Sequence, residues 1–156
     1  ACRAHGVSFV ARGAGTGLSG GAVACHGGIV IECARMNRVL RVDPENRIAV
    51  VQPGVVNADL SKAVAKYGLF YAPDPSSQQS CTLGGNVAEN SGGPHTLKYG
   101  TTTNHVLALE LVLADGELVR LGNPAGLANG LDLVGVVVDR ERHAIVMGDV
   151  RGLLAV

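Results

Sequence analysis

The residues best suited to hold a ligand are Arg12-Gly13-Ala14-Gly15-Thr16-Gly17-Leu18-Ser19-Gly20-Gly21. Without Cβ atoms a backbone can approach a ligand closely and take positive φ. Successive amides in such a curved segment form a concave nest for an anion. Thr16 and Ser19 add hydroxyl donors. Gly15-x-Gly17-x-x-Gly20 also matches the dinucleotide fingerprint, which needs a helix directly behind it to carry the pyrophosphate. The next residues, Ala22-Val23-Ala24-Cys25-His26-Gly27-Gly28, run into a β-branched segment, and the glycine pair would break a helix within two turns. The expectation is therefore a phosphate nest with no helix behind it. The rivals are a Rossmann-type nicotinamide module and a flexible surface loop, whose ordering a ligand would have to offset. No Gly-Lys-Ser/Thr follows, so a P-loop is excluded.

A second cluster begins at Pro73-Asp74-Pro75-Ser76-Ser77 and continues through Thr82-Leu83-Gly84-Gly85-Asn86-Val87-Ala88-Glu89-Asn90-Ser91-Gly92-Gly93. Gly84 and Gly85 let a flat ligand lie against the main chain. Thr82, Asn86, Asn90 and Ser91 offer neutral hydrogen-bonding groups, which suits an uncharged ring with imide edges. Taken alone, the same residues read equally well as a capped helix closed by glycines. Asp74, between two prolines, reads as loop rigidity, and Glu89 as a solvent-facing side chain. His26 and His105 read as structural, and His5 and His143 have no evident partner. Paired carboxylates, Gly-x-Ser-x-Gly and His-Glu-x-x-His are all missing, so hydrolase and metalloenzyme chemistry have no local support.

Composition narrows the class. A chain of 156 residues can bury roughly 70% of its unfolded surface, and 47% hydrophobic content excludes disorder as the main description. Glycine is the outlier, 22 of 156, about twice the usual share. Five aromatic residues (Phe9, Tyr67, Phe70, Tyr71 and Tyr99) are too few for a base-stacking surface, and thirteen basic residues cancel thirteen acidic ones. Nucleic acid is therefore not an expected partner. No apolar run reaches the roughly 20 residues of a membrane span, and no signal peptide is evident. Cys2, Cys25, Cys33 and Cys81 form no Cys-x-x-Cys pair and read as reduced thiols of a cytoplasmic protein.

The elements that must position these loops follow from periodicity and turn residues. Residues 1–6 read as a last helical turn ended by Gly6, followed by strands at 7–11 and 29–33. Residues 38–42 and 47–52 read as a hairpin around Asp43-Pro44-Glu45-Asn46. Asn57 is expected to cap a helix with Leu60, Val64 and Tyr67 on its apolar face, ended by Gly68. A short helix is expected from Thr82 to Asn90, then a strand at 105–113 that turns through 114–117 into 118–121. Beyond Gly122 come a loop, an apolar run at 131–138 and the charged patch Asp139-Arg140-Glu141-Arg142-His143. Several strands with few helices make the class α+β.

Taken together, the 12–21 loop, the Gln52-Pro53-Gly54-Val55 turn, the 73–93 stretch and Tyr99-Gly100 resemble the FAD-binding domain of the vanillyl-alcohol-oxidase type. Within it they are most similar to the group of the glycolate oxidase D-subunit and D-lactate dehydrogenase. The resemblance runs to about residue 135. It implies a small parallel βαβ unit followed by a mixed sheet with flanking helices. It implies that Gly13, Ala14, Gly15, Thr16, Gly17, Leu18, Ser19 and Gly20 cradle the FAD pyrophosphate. It places Pro73, Asp74, Pro75 and Ser76, then Thr82, Leu83, Gly84, Gly85, Asn86, Asn90, Gly92, Gly93, Tyr99 and Gly100, around the flavin and ribityl chain. His95 and Cys81 are the candidates for a covalent link, although this group is expected to bind FAD non-covalently.

The same resemblance implies a domain truncated at both ends: residues 1–138 as a partial FAD-binding domain and 139–156 as a divergent tail, with the substrate domain absent. The parent activity it implies is oxidation of a small 2-hydroxy acid, of the glycolate or D-lactate kind, to the 2-oxo acid, with electron-accepting partner subunits. The alternatives are a chain that binds FAD without catalysis, an inert fragment, or the Rossmann module already named.

Overall fold

The computed structural model describes residues 1–122 and the backbone of one further strand, Gly152–Ala155. The chain opens on a short 3-10 helix, Arg3–His5, closed by Gly6 at φ +61°. Strand β1 (Phe9–Arg12) then pairs in parallel with β2 (Ile29–Glu32), Phe9 opposite Ile29. The connection between them holds only turns, with no helix after Gly20. Parallel strands need a crossover; here the glycine-rich segment provides it.

The second sheet contains β3 (Val39–Asp43), β4 (Ile48–Val51), β5 (Val106–Val112), β6 (Leu118–Gly122) and β7 (Gly152–Ala155), in the order β3-β4-β7-β5-β6. Each described pairing in it is antiparallel. The β3–β4 turn is held by Asp43, whose carboxylate accepts from the Asn46 amide at 3.1 Å and from Asn46 Nδ2 at 3.0 Å. Those bonds hold the Asp43 carboxyl below its ordinary range. Gly116, at φ +91°, makes the β5–β6 turn. Across that hairpin Glu110 accepts from Arg120 Nε at 2.7 Å.

The core lies where α1 (Asn57–Val64) and α2 (Leu83–Glu89) meet β4 and β5: Ala49, Val51, Val55, Leu60, Val64, Tyr71, Leu83, Val87, Val106, Leu109 and Leu111 are buried together. Alternate residues of β4, Ala49 and Val51, point inward, as the two-residue period of a strand requires. Each fully buried Leu or Val here contributes about 1.5–3 kcal/mol.

Three local expectations change. The α1 cap is Val56, not Asn57; Asn57 is the first helical residue, and its buried Nδ2 donates to Pro73 O at 3.0 Å. That ties the helix to the 73–81 loop, a use of the side chain that cap statistics cannot reveal. His105 ends a 3-10 helix (Thr102–His105), so β5 starts one residue later. Helix α3 (Thr96–Tyr99) was not foreseen: four residues are too few to show a helical period. The 131–138 run, the 139–143 patch and the boundary at 138 lie outside the described residues.

Candidate functional site

A cleft of about 650 Å³ opens between the loop after β1 and helix α2. The parallel β1–β2 pair delivers the loop, and Gly13 is the pivot. A Cβ at Gly13 would collide with Thr82 Oγ1, so only glycine lets the loop lie on the start of α2. Thr82 caps that helix by accepting from the Gly85 amide at 3.3 Å. The other early amides of α2 are also used: Leu83 donates to Val55 O and Gly84 to Pro53 O, both at 2.8 Å. The first amides of this wall are therefore satisfied before any ligand arrives.

The loop differs. None of the backbone amides of residues 14–21 donates a hydrogen bond within the described residues. Gly15 and Gly20 take φ +68° and +80°, the left-handed region, which curves the segment as a nest requires. Two charged residues line the cleft, Arg12 and Glu89. Arg12 lies beside Gly15 and shares its charge with Glu32, Nε to Oε2 at 3.7 Å. Ser19 Oγ donates to the Glu89 carboxylate, 2.6 Å from Oε1 and 2.7 Å from Oε2.

The cleft thus brings together Gly13, Gly15, Thr16, Gly17, Leu18 and Ser19 with Thr82, Gly84, Gly85, Asn86 and Ser91. Ala14 and Gly20 are exposed within the same loop but do not line it, and Leu83 is in the core. The remaining expected residues form a neighbouring assembly. Pro73 is buried with its carbonyl on Asn57, Pro75 is buried and Ser76 is exposed. Asp74 accepts from the His95 amide at 3.3 Å and meets His95 Nδ1 at 2.5 Å. The His95 ring bond is the main reason the Asp74 carboxyl sits below its usual range. Asp74 therefore anchors a histidine as well as stiffening a loop.

Asn90, left-handed at φ +48°, accepts from Thr103 N at 3.0 Å and Thr103 Oγ1 at 2.8 Å. Gly93 donates to Thr96 Oγ1 at 2.6 Å, and a Cβ at Gly92 would press on the same hydroxyl. Tyr99 meets Phe70 edge to face at 5.9 Å, and Gly100 follows at φ +81°. Sequence reasoning missed Glu89, read as solvent-facing, and Arg12 as a cleft residue. The available signal was a charged side chain bordering the first glycine cluster, Arg12, and another inside the second, Glu89.

Of the two candidates for covalent attachment, Cys81 lines the cleft and His95 does not. Burial pushes the thiols of Cys81 and Cys33 up, which opposes the thiolate a nucleophile needs. All four cysteines are free thiols. Among the described residues no group of three His, Cys, Asp or Glu could hold a metal ion, and no helix is long and apolar enough to cross a membrane.

Residues 1–122 match the family described as the FAD binding domain. The chain belongs to that family. FAD is the cofactor of this FAD-binding domain. It is 49% identical over 140 residues to glycolate oxidase subunit GlcD of Escherichia coli, a match covering 90% of this chain and 28% of the relative. It is 43% identical over 131 residues to a D-lactate dehydrogenase of Archaeoglobus fulgidus, covering 83% and 29%. Among solved structures it is similar to an alkyldihydroxyacetonephosphate synthase at 24% identity and TM-score 0.80, covering 99% of this chain and 28% of that one, which shows the fold. The chain thus spans less than a third of the length of these proteins.

The residues present fit FAD. The unused amides of 14–21 suit its diphosphate. Gly13 lets the loop lie against Thr82 at the start of α2, which sets the loop opposite that helix across the cleft. Asn86, 1% exposed and lining the cleft, keeps Nδ2 without an oxygen or nitrogen acceptor among the described residues, with only the weakly accepting Cys81 thiol beside it. A buried orphan donor is costly unless a ligand satisfies it.

Proposed function

We propose that this FAD-binding domain serves an oxidoreductase that converts a small 2-hydroxy acid, of the glycolate or D-lactate kind, to the 2-oxo acid. The observation that carries the cofactor half of this reading is the run of unpaired amides at 14–21 facing a helical wall whose first amides are satisfied. The names of the similar proteins support the substrate half.

Gly13, Gly15, Thr16, Gly17, Leu18 and Ser19, which line the cleft, hold the diphosphate through main-chain amides and two hydroxyls, and Ala14 and Gly20 complete the curve of that loop from outside the lining. Thr82, Gly84, Gly85 and Asn86 form the wall beside the ribityl chain and flavin, with Leu83 anchoring that wall in the core. Pro73, Asp74, Pro75, Ser76, Asn90, Gly92, Gly93, Tyr99 and Gly100 form the rim that continues it. When bound, FAD supplies the two-electron acceptor. The chain's own share is to bind it, to keep its polar edges satisfied and to keep it non-covalently held. The 2-hydroxy acid and the electron-accepting subunits meet residues beyond those described, and the location is cytoplasmic.

A second reading is that this domain binds FAD yet turns over nothing by itself, since the residues described supply a cofactor cleft and no assigned substrate contact. Visible absorbance of the purified chain, with and without added FAD, tests the cofactor half, and glycolate or D-lactate is then added. A flavin band that bleaches supports the full reading. A band that stays selects the non-catalytic one. Protein that remains colourless in excess FAD overturns both.

A further inference from the structure

We propose that Glu89 is a built-in anion of the nest: it takes the Ser19 hydroxyl that a ligand phosphate would use, and so sets the affinity of the cleft for a diphosphate. This rests on the cofactor reading above. Three observations carry it. Both carboxylate oxygens of Glu89 lie within 2.7 Å of Ser19 Oγ, so an anion already accepts from that hydroxyl. Room for the carboxylate exists because residue 17 is glycine, since a Cβ there would come 2.8 Å from Glu89 Oε1. Glu89 is also the last residue of α2, the helix end where exposed carbonyls disfavour an anion. A carboxylate held at that end needs a compensating donor, and among the described residues Ser19 supplies it.

The consequence is electrostatic. The cleft's lining charges are Arg12 and Glu89, and Arg12 is shared with Glu32. A diphosphate entering the loop must displace the Glu89 carboxylate from Ser19 and then tolerate it nearby. Glu89 thereby lowers affinity for any free anion and favours a ligand that brings further contacts along the α2 wall. It is a specificity-determining residue rather than one that touches the reacting atoms.

The test compares the intact chain with Glu89→Gln, Glu89→Ala, Ser19→Ala and the Ser19→Ala/Glu89→Gln double variant. Each is titrated with inorganic pyrophosphate, FAD and riboflavin at low and at raised salt, with thermal melting as the fold check. Glu89→Gln and Glu89→Ala are expected to bind pyrophosphate about tenfold more tightly at low salt, with the gain shrinking as salt rises. Riboflavin, which lacks phosphate, should be unaffected. Glu89→Gln should bring a smaller gain when Ser19 is already alanine. An equal gain in both backgrounds would show a remote charge rather than an occupant of Ser19 and overturns the proposal. Unchanged or weaker pyrophosphate binding in folded Glu89 variants overturns it too, while the cofactor reading stands if the parent chain still takes FAD. If no protein in the set takes FAD or pyrophosphate, the cofactor reading falls and the role of Glu89 with it.

Discussion

Residues 13–22 and residues 82–93 are both rich in glycine and both border the cleft, yet they spend their amides differently. In 82–93 the amides of Leu83, Gly84, Gly85 and Asn86 are bonded within the chain, to Val55 O, Pro53 O and Thr82. Its glycines are there for close packing: a Cβ at Gly84 would lie 2.6 Å from Pro53 Cβ. In 14–21 no amide is donated within the described residues, and a Cβ at Gly20 would meet open space. One segment is a wall whose order comes from the core behind it. The other is a strip that keeps its main-chain donors unused among the described residues. Glycine content alone does not tell the two segments apart; the destination of the amides does.

That contrast can be broken by mutation. The largest expected effect is in the wall. Leu83→Ala removes a side chain 2% exposed in the core and should destabilise the protein by about 2–5 kcal/mol, read by denaturant unfolding. A loss under about 1 kcal/mol would mean that the wall is not anchored in the core.

Gly15→Val comes next and tests the strip. Valine at φ +68° is strained by roughly 1–2 kcal/mol, but the loop is exposed and can shift, so stability should fall by no more than that. FAD affinity, followed by fluorescence, should fall at least about tenfold, because the side chain blocks the backbone approach. Parental FAD stoichiometry in this variant would remove the loop from the site.

Thr82→Ala deletes the cap of α2 and should cost about 1 kcal/mol, with a smaller loss of FAD affinity as the wall frays. The smallest effect concerns Asp74→Asn. Asp74 is held below its usual range in the folded chain, so its share of stability is complete above the ordinary carboxylate range. That share is lost as pH falls through the lower folded value. The melting temperature of the parent should therefore drop more steeply on acidification than that of Asp74→Asn, the two converging in acid. Parallel curves would mean that the His95 bond contributes nothing.

Much of this was legible from local sequence. The β3–β4 hairpin follows from Asp43-Pro44-Glu45-Asn46, whose side chains make the turn bonds themselves. Thr82 as a cap and Gly68 as a stop are likewise written in neighbouring residues. The lack of a helix behind Gly20 was readable from Gly27-Gly28. The strip's glycines were recognisable for the same reason: main-chain freedom is a property of the residue itself.

What the sequence by itself determined, then, was the strands from β1 to β6, the helices α1 and α2, most of their turns, and which stretch could expose its amides. These depend on interactions within a few positions. The four-residue α3, the Val56 cap and the β7 strand carried no such local signal. Only the tertiary structure decided that Glu89 sits on Ser19, seventy residues away, that Asp74 holds His95, and that Gly13 rests on Thr82. Such pairings depend on how the parallel pair, α2 and the 73–81 loop pack against one core. No local period or turn preference encodes the distance between side chains on different elements, so the charge inside the nest became visible only once those elements were in place.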